Sequence, residues 1–369
     1  MSTLQPVRKI LLNPGPATTT DRVKRAQIVS DVCPREREFG AVVSAVREKL
    51  VRVPEGADGY TAVLLGGSGT AAMEACISSL LPADGHLLIA ANGAYGDRAI
   101  KIAQAYGLSH TPLKLDVLAP IDLGAVERAL AEQPRTTHLF FVHHETTTGL
   151  LNPFERLAQL CKQRGITAIV DAVSSYAGLP IDLQRAPVDF LFSSSNKCVQ
   201  GFAGLGLVLC KRAALQATER YPRRGVYLNL FDNWKAQEAD GQCLFTPPVQ
   251  VIYALDAALD ELFEETPKKR YARYAACYDT LMRGMDELGL SALLPREYHC
   301  KLLTTFVDPE LPGYDFEAMH DYLFARDITI YPGKLVGKNT FRIANIGALE
   351  PADIERFLAV LGEYLSSLR

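Results

Sequence analysis

Residues 167–197 read TAIVDAVSSYAGLPIDLQRAPVDFLFSSSNK, and the fold class is decided there. The runs 167–173 and 189–195 are short and largely apolar without polar alternation, the pattern of strands covered on both faces by helices. Asp171 closes the apolar part of the first run, and Ser193-Ser194-Ser195-Asn196-Lys197 closes the second. Working outward, similar runs recur at 61–66, 86–92, 109–116, 137–145 and 205–211, with helical patterns at 69–82, 96–107, 124–133 and 154–165 between them. This alternation predicts an α/β domain on a mostly parallel, seven-stranded sheet.

Beyond Lys211 the rhythm changes. Segment 212–250 is irregular, with Trp234, Cys243 and Pro247-Pro248, and two long amphipathic helical patterns follow at 251–265 and 268–288. Strands at 299–307, 328–332 and 340–344 with helices at 316–326 and 351–367 then describe a small α+β C-terminal domain. The expected division is a large domain over 1–275, whose N-terminal segment reaches the active site, and a small one over 276–369, with the boundary inside the second long helix. With 369 residues, 48% of them hydrophobic, and 39 basic against 42 acidic side chains, the near-neutral balance argues against a nucleic-acid or anionic-membrane surface. No apolar run approaches the ~18 residues of a membrane span, and the first residues lack a secretory cleavage pattern, so a cytoplasmic protein is expected. The eight cysteines contain no C-x-x-C pair and the histidines no metal-binding spacing, so free thiols and no metal are expected. His143 and His144 are adjacent and on a strand would point to opposite faces.

Open α/β sheets bind ligands at the carboxyl ends of their strands, and three polar features fall there. Gly66-Gly67-Ser68-Gly69-Thr70 joins the first strand to a helix, where free N–H groups and the helix dipole favour a phosphate. It lacks the Lys-Ser/Thr of a Walker loop and matches the dinucleotide fingerprint only in part; alone it is equally a tight turn. Asp171, at the end of Thr167-Ala168-Ile169-Val170, needs a cation or several donors if buried, and alone would cap a turn. Lys197, alone a solvated surface charge, follows small polar residues and precedes Cys198-Val199-Gln200-Gly201; in an apolar cleft it can lose its proton and form a Schiff base. A phosphate, an aldehyde and a ring nitrogen needing an anion together describe pyridoxal 5′-phosphate.

The segments Asn13-Pro14-Gly15-Pro16, Gly67-Ser68-Gly69-Thr70, Asn92-Gly93-Ala94-Tyr95-Gly96, Glu145-Thr146-Thr147-Thr148-Gly149, Asp171-Ala172-Val173-Ser174-Ser175, Ser195-Asn196-Lys197 and Phe341-Arg342-Ile343-Ala344-Asn345-Ile346-Gly347 resemble the fold type I, class V aminotransferases. The resemblance runs from about residue 8 to 365. Within the class, His143-x-Glu145-Thr-Thr-Thr-Gly149, Asn196-Lys197-Cys198-x-Gln200-Gly201 and Tyr331-Pro332-Gly333-Lys334 resemble the branch that moves the amino group of 2-aminoethylphosphonate to pyruvate, giving phosphonoacetaldehyde and L-alanine. The resemblance implies that Lys197 is the Schiff-base lysine and proton carrier, and that Asp171 pairs with the ring nitrogen. It implies Ser68, Gly69 and Thr70 on the phosphate, Tyr95 stacked on the ring, Thr147 near the ring hydroxyl and Asn196 beside the cofactor. Thr246 would reach the cofactor phosphate of a second subunit, making a homodimer with shared sites. Arg342, with Ser175 and Gly15, would hold the substrate carboxylate. Without the family, Arg342 reads as a salt-bridge residue and Tyr95 as a packing aromatic.

A phosphonate dianion needs donors beyond those for a carboxylate, and Arg35 or Arg37 in Cys33-Pro34-Arg35-Glu36-Arg37-Glu38 are candidates, against the reading of that alternation as a solvated face. The alternative activities are an alanine:glyoxylate or serine:pyruvate aminotransferase, a class V lyase or desulfurase, and a pyridoxal-phosphate-binding protein without turnover. Asn196 stands before the lysine where lyases and desulfurases of the class typically carry His.

Overall fold

The structure is a computed structural model that describes residues 7–333, 335 and 337–368; Lys334 of the Tyr331–Lys334 segment lies outside them. Seven strands form the large sheet: β1 (Tyr60–Gly67), β2 (Leu87–Ala91), β3 (His110–Lys114), β4 (His138–Val142), β5 (Thr167–Asp171), β6 (Phe190–Ser194) and β7 (Gly204–Lys211). Their order is β1-β7-β6-β5-β4-β2-β3, and β7 runs antiparallel to both neighbours while the others are mutually parallel. The mostly parallel seven-stranded sheet is therefore present as expected. Alternate side chains along each strand enter different apolar clusters. Phe141, Val170 and Leu191 pack on one face, and Phe140, Ile169 and Phe192 on the other. Both faces are thus dry, which is why the strands carry no polar alternation.

Helices α1 (Arg37–Val51), α2 (Gly69–Ser79) and α3 (Ala94–Ala105) cover the sheet around its active edge. Small residues of α2, Ala72, Ala75 and Cys76, are buried and let it lie close against β6 and β7. Farther on, α4 (Val249–Glu265) leads into α5 (Pro267–Glu287). On α5, Tyr274 still packs in a sheet-side cluster, whereas Cys277, Leu281 and Met285 belong to a third cluster with α6 (Pro351–Ser367) and with Ile10 and Leu12. A three-stranded antiparallel sheet of β8 (Leu303–Val307), β9 (Tyr331–Pro332) and β10 (Thr340–Ala344), in the order β8-β10-β9, lines that cluster.

Three expected strands are cut differently. The run 137–145 leaves the sheet after Val142, because its partner β5 ends opposite it at Asp171. His144–Glu145 then pairs with Leu150–Leu151, so Thr146-Thr147-Thr148-Gly149 is the turn of a small hairpin. The run 299–307 becomes a strand only at Leu303, since Lys301 adopts φ +64°. The run 328–332 serves two partners, Ile328–Thr329 pairing with Ile10–Leu11 and Tyr331–Pro332 with β10.

Candidate active site

The carboxyl ends of β1, β2, β4, β5 and β6 lie along one edge of the parallel sheet, and each delivers a residue anticipated from the sequence. Asp171, the last residue of β5, is only 3% exposed. Its Oδ1 accepts the Val173 N–H at 2.9 Å, while its Oδ2 is buried with no hydrogen-bond partner among the described residues. Burial first, and then the charge of Glu145, push its pKa up to about 7, against the lowering influence of the Val173 N–H, Arg98 and Lys197.

Lys197 follows β6 in a turn closed by the Gln200 N–H on its carbonyl at 2.9 Å. Its Nζ donates to the carbonyl of Pro14. Gly15 sits at φ +142°, and a Cβ there would lie 2.5 Å from Lys197 Cδ, so the backbone passes over the lysine only because the residue is glycine. The Ala17 N–H donates to the Asn196 carbonyl at 2.9 Å and clips the same loop down.

At the end of β1, Ser68 is the N-cap of α2, yet its side chain makes no cap bond, and Gly67 and Ser68 are exposed. Thr70 Oγ1 accepts from Arg98 at 2.9 Å, and the Arg98 guanidinium lies 4.9 Å from the centre of the Tyr95 ring. Tyr95 opens α3 at the end of β2, and its N–H donates to Glu145 Oε2 at 3.3 Å. Thr147 gives Glu145 Oε1 two more bonds, from its N–H at 3.0 Å and its hydroxyl at 2.6 Å.

Arg342, on β10, is 2% exposed and makes no ion pair among the described residues. Its Nε donates to the Pro332 carbonyl at 2.9 Å and its Nη1 to the Thr146 carbonyl at 3.2 Å. Burial lowers its pKa, opposed by the fields of Tyr95, Glu145 and Tyr331. Ser175 Oγ is buried without a partner among the described residues.

Contacts tie Gly15 to Lys197, Tyr95 and Thr147 to Glu145, Arg98 to Thr70 and Tyr95, and Arg342 to the turn that carries Thr147, while Asp171 ends β5 beside β6, which leads into Lys197. Thr246 is exposed beside Gly66, Tyr227 and Phe245. Arg35 donates to the Cys243 carbonyl at 2.7 Å and the Leu244 carbonyl at 3.3 Å, which anchors the loop leading to Thr246; Arg37 is exposed at the start of α1.

Two residues at the centre had no role assigned from the sequence. Glu145 was legible as a carboxylate directly after an apolar run, and Arg98 as a cation three residues beyond Tyr95 on one helix face. His143 stacks on Phe154 at 4.5 Å while His144 Nε2 lies 2.9 Å from Cys300 Sγ; burial drives both imidazoles down to about 3, which keeps them neutral. The eight cysteines are free, seven of them buried.

The arrangement fits pyridoxal phosphate on three counts internal to the chain. Asp171 Oδ2 is an orphaned buried acceptor suited to a cationic ring nitrogen. The start of α2 carries no side-chain cap and is open to an anion. Lys197 follows the carboxyl end of β6, on the same edge of the sheet as both.

A model of the family described as Aminotransferase class-V matches residues 22–349. A 2-aminoethylphosphonate–pyruvate transaminase of Vibrio vulnificus is 40% identical over 355 residues, 95% of this chain and 96% of the relative. One from Syntrophobacter fumaroxidans is 40% identical over 351 residues, covering 95% and 94%. Among solved structures, an alanine–glyoxylate aminotransferase from Nostoc sp. superposes with a TM-score of 0.90 at 27% identity, covering 99% of this chain and 97% of that one. A pyridoxamine–pyruvate aminotransferase from Mesorhizobium loti shares the fold at a TM-score of 0.89 and 24% identity, covering 100% and 94%.

Proposed function

This chain belongs to the class V aminotransferase family, and from that premise we propose that it moves the amino group of 2-aminoethylphosphonate to pyruvate, giving phosphonoacetaldehyde and L-alanine. The observation that carries the reading is Arg342, a buried guanidinium without an ion pair among the described residues, set across from a cradle for pyridoxal phosphate. One cationic subsite then receives two anions in turn, the phosphonate of the donor and the carboxylate of the acceptor.

Bound pyridoxal phosphate supplies the aldehyde that takes up the amino group and a protonated ring that draws electrons from the substrate carbon. Asp171 Oδ2 holds the proton on the ring nitrogen. With its pKa raised to about 7, the carboxyl remains largely protonated below that pH until a cation stands against it. Lys197 Nζ, oriented by the Pro14 carbonyl, would carry the proton to and from the substrate carbon. Ser68, Gly69 and Thr70 hold the phosphate at the start of α2, with Arg98 adding charge through Thr70. Tyr95 gives the ring a face to stack on, and Asn196 and Thr147 border it. Glu145 fixes Tyr95 and Thr147 relative to each other. Arg342 orients the substrate anion, with Ser175 and Gly15 alongside.

A second copy of the chain completes the site. Exposed Thr246 is offered outward beside the exposed ring of Tyr227, which supports a homodimer with shared sites. Eight free cysteines support a reducing compartment, the cytoplasm. No described helix is long and apolar enough to cross a membrane.

The test is a donor-by-acceptor matrix of initial rates, with 2-aminoethylphosphonate, L-alanine and L-serine against pyruvate and glyoxylate. The reading expects 2-aminoethylphosphonate with pyruvate to be the fastest pair. A faster alanine–glyoxylate rate would transfer the assignment to the activity named for the Nostoc structure.

A further inference from the structure

The wall that carries Arg342 holds more hydrogen-bond donors than a carboxylate can use. Thr305 of β8 is the cross-strand partner of Arg342, so the two side chains leave the same face of the small sheet. Tyr331 of β9 flanks Arg342 on its other side. The Glu145–Gly149 turn lies down on that face. Gly149, at φ +88°, would place a Cβ 2.7 Å from the Leu303 carbonyl, and Arg342 Nη1 reaches the Thr146 carbonyl. Within this enclosure Thr146 and Thr305 are each 1% exposed, and neither Oγ1 has a hydrogen-bond partner among the described residues. Thr340, two residues before Arg342 and on the same face, also has an unpartnered buried hydroxyl.

A buried hydroxyl without a partner is destabilising, so several of them around one buried cation are donors that a bound anion can satisfy. A carboxylate offers two oxygens, which the guanidinium fork can take up. A tetrahedral phosphonate offers three oxygens and up to two charges, and leaves one oxygen beyond the fork.

We propose that Thr305, with Thr146 beside it, is a specificity-determining residue whose hydroxyl donates to the phosphonate oxygen that Arg342 leaves unpaired. The inference rests on the transamination reading above and adds to it the source of donor selectivity. Thr304 supplies an internal control. Its hydroxyl is equally unpartnered, but its cross-strand partner is Ile343, so it faces the apolar cluster of Phe306 and Phe341.

The experiment uses the holoenzyme and compares Thr305→Val, Thr305→Ser and Thr304→Val in single-turnover half-reactions with 2-aminoethylphosphonate and with L-alanine. Thr305→Val, close in shape but unable to donate, is expected to lower kcat/KM for the aminophosphonate by about 10-fold or more and that for L-alanine by less than about 3-fold. Thr305→Ser should recover the aminophosphonate rate, and Thr304→Val should leave the ratio between donors unchanged. Equal losses for both donors with Thr305→Val, no loss for either, or a serine variant as impaired as the valine would each overturn the proposal. If Thr305→Val fails to fold, Thr146→Val takes its place, with the same donor-selective loss expected and the same equal-loss result counting against it. If the parent enzyme does not turn over 2-aminoethylphosphonate, the functional reading fails by itself. Competitive inhibition of L-alanine turnover by ethylphosphonate against propionate then still decides the role of Thr305, since the variant must weaken only the phosphonate.

Discussion

On the wall of the active site made by the large sheet, the charged groups each have a hydrogen-bond partner. Glu145 takes three hydrogen bonds from Tyr95 and Thr147, Lys197 donates to Pro14, Arg98 donates to Thr70 and Asp171 Oδ1 accepts from Val173, while Asp171 Oδ2, Ser175 Oγ and Ser194 Oγ have no partner among the described residues. On the wall made by the small sheet, Arg342 donates to the carbonyls of Pro332 and Thr146, and among the described residues the hydroxyls of Thr146, Thr305 and Thr340 have no partner. On the function proposed above, the difference follows from what each wall would hold. A resident cofactor has one shape and repays a rigid, satisfied cradle, whereas a subsite that alternates between a carboxylate and a phosphonate needs donors that can stand idle for one of them.

If that contrast is correct, damage to the large-sheet wall should appear in kcat and damage to the small-sheet wall in KM. The largest effect is expected for Lys197→Ala, which should lower turnover by about 10⁴-fold or more and abolish borohydride trapping of the cofactor on the protein. Asp171→Asn should lower kcat by roughly 10²- to 10³-fold with a smaller change in KM. The same variant sharpens the contrast through stability. A carboxyl raised from 3.8 to about 7 in the fold binds more protons folded than unfolded, so the stability it contributes is lost as pH rises through that window. The cofactor-free Asp171→Asn protein should therefore gain melting temperature over its parent, by a larger margin at pH ~8 than at pH ~5. A parent that became more stable over that range through this group would reverse the sign.

Arg342→Gln should raise KM for both 2-aminoethylphosphonate and pyruvate by roughly 30-fold or more, with kcat less affected; a loss confined to kcat would break the division between the walls. Glu145→Gln replaces an acceptor of three hydrogen bonds by an amide that cannot accept them all. It should weaken cofactor binding about 10-fold, read by equilibrium dialysis, because Tyr95 and Thr147 lose their common anchor. The smallest effect belongs to Arg35→Ala. Its guanidinium serves the carbonyls of Cys243 and Leu244, so a change of about 3-fold or less, equal for both donors, is expected from steady-state rates. A loss selective for the aminophosphonate would return Arg35 to the phosphonate site.

The large-sheet wall was legible in the sequence because each of its groups ends an apolar run. Asp171 and Lys197 stand out against β5 and β6, and Gly67-Ser68-Gly69-Thr70 against β1, by local contrast alone. The hairpin at His144–Leu151 was read through as strand, since apolar residues continue while the ladder partner does not. Glu145 was visible as a residue but not as a hub, because its partners come from the start of α3 and from its own turn. Thr305 carried no signal at all. It is one threonine of a Thr-Thr pair, and only the register of β8 against β10 decides which of the two sits beside Arg342.

The order of strand ends, the two-sided burial of the sheet and the residues at its active edge were determined by the sequence alone, because apolar periodicity and the breaks in it are local properties of the chain. The tertiary structure alone decided that Gly15 crosses Lys197, that Glu145 joins Tyr95 to Thr147, and that Thr305 rather than Thr304 faces Arg342. Those relations join segments distant along the chain, and they are set by strand register and packing, where a shift of one residue turns every side chain to the opposite face.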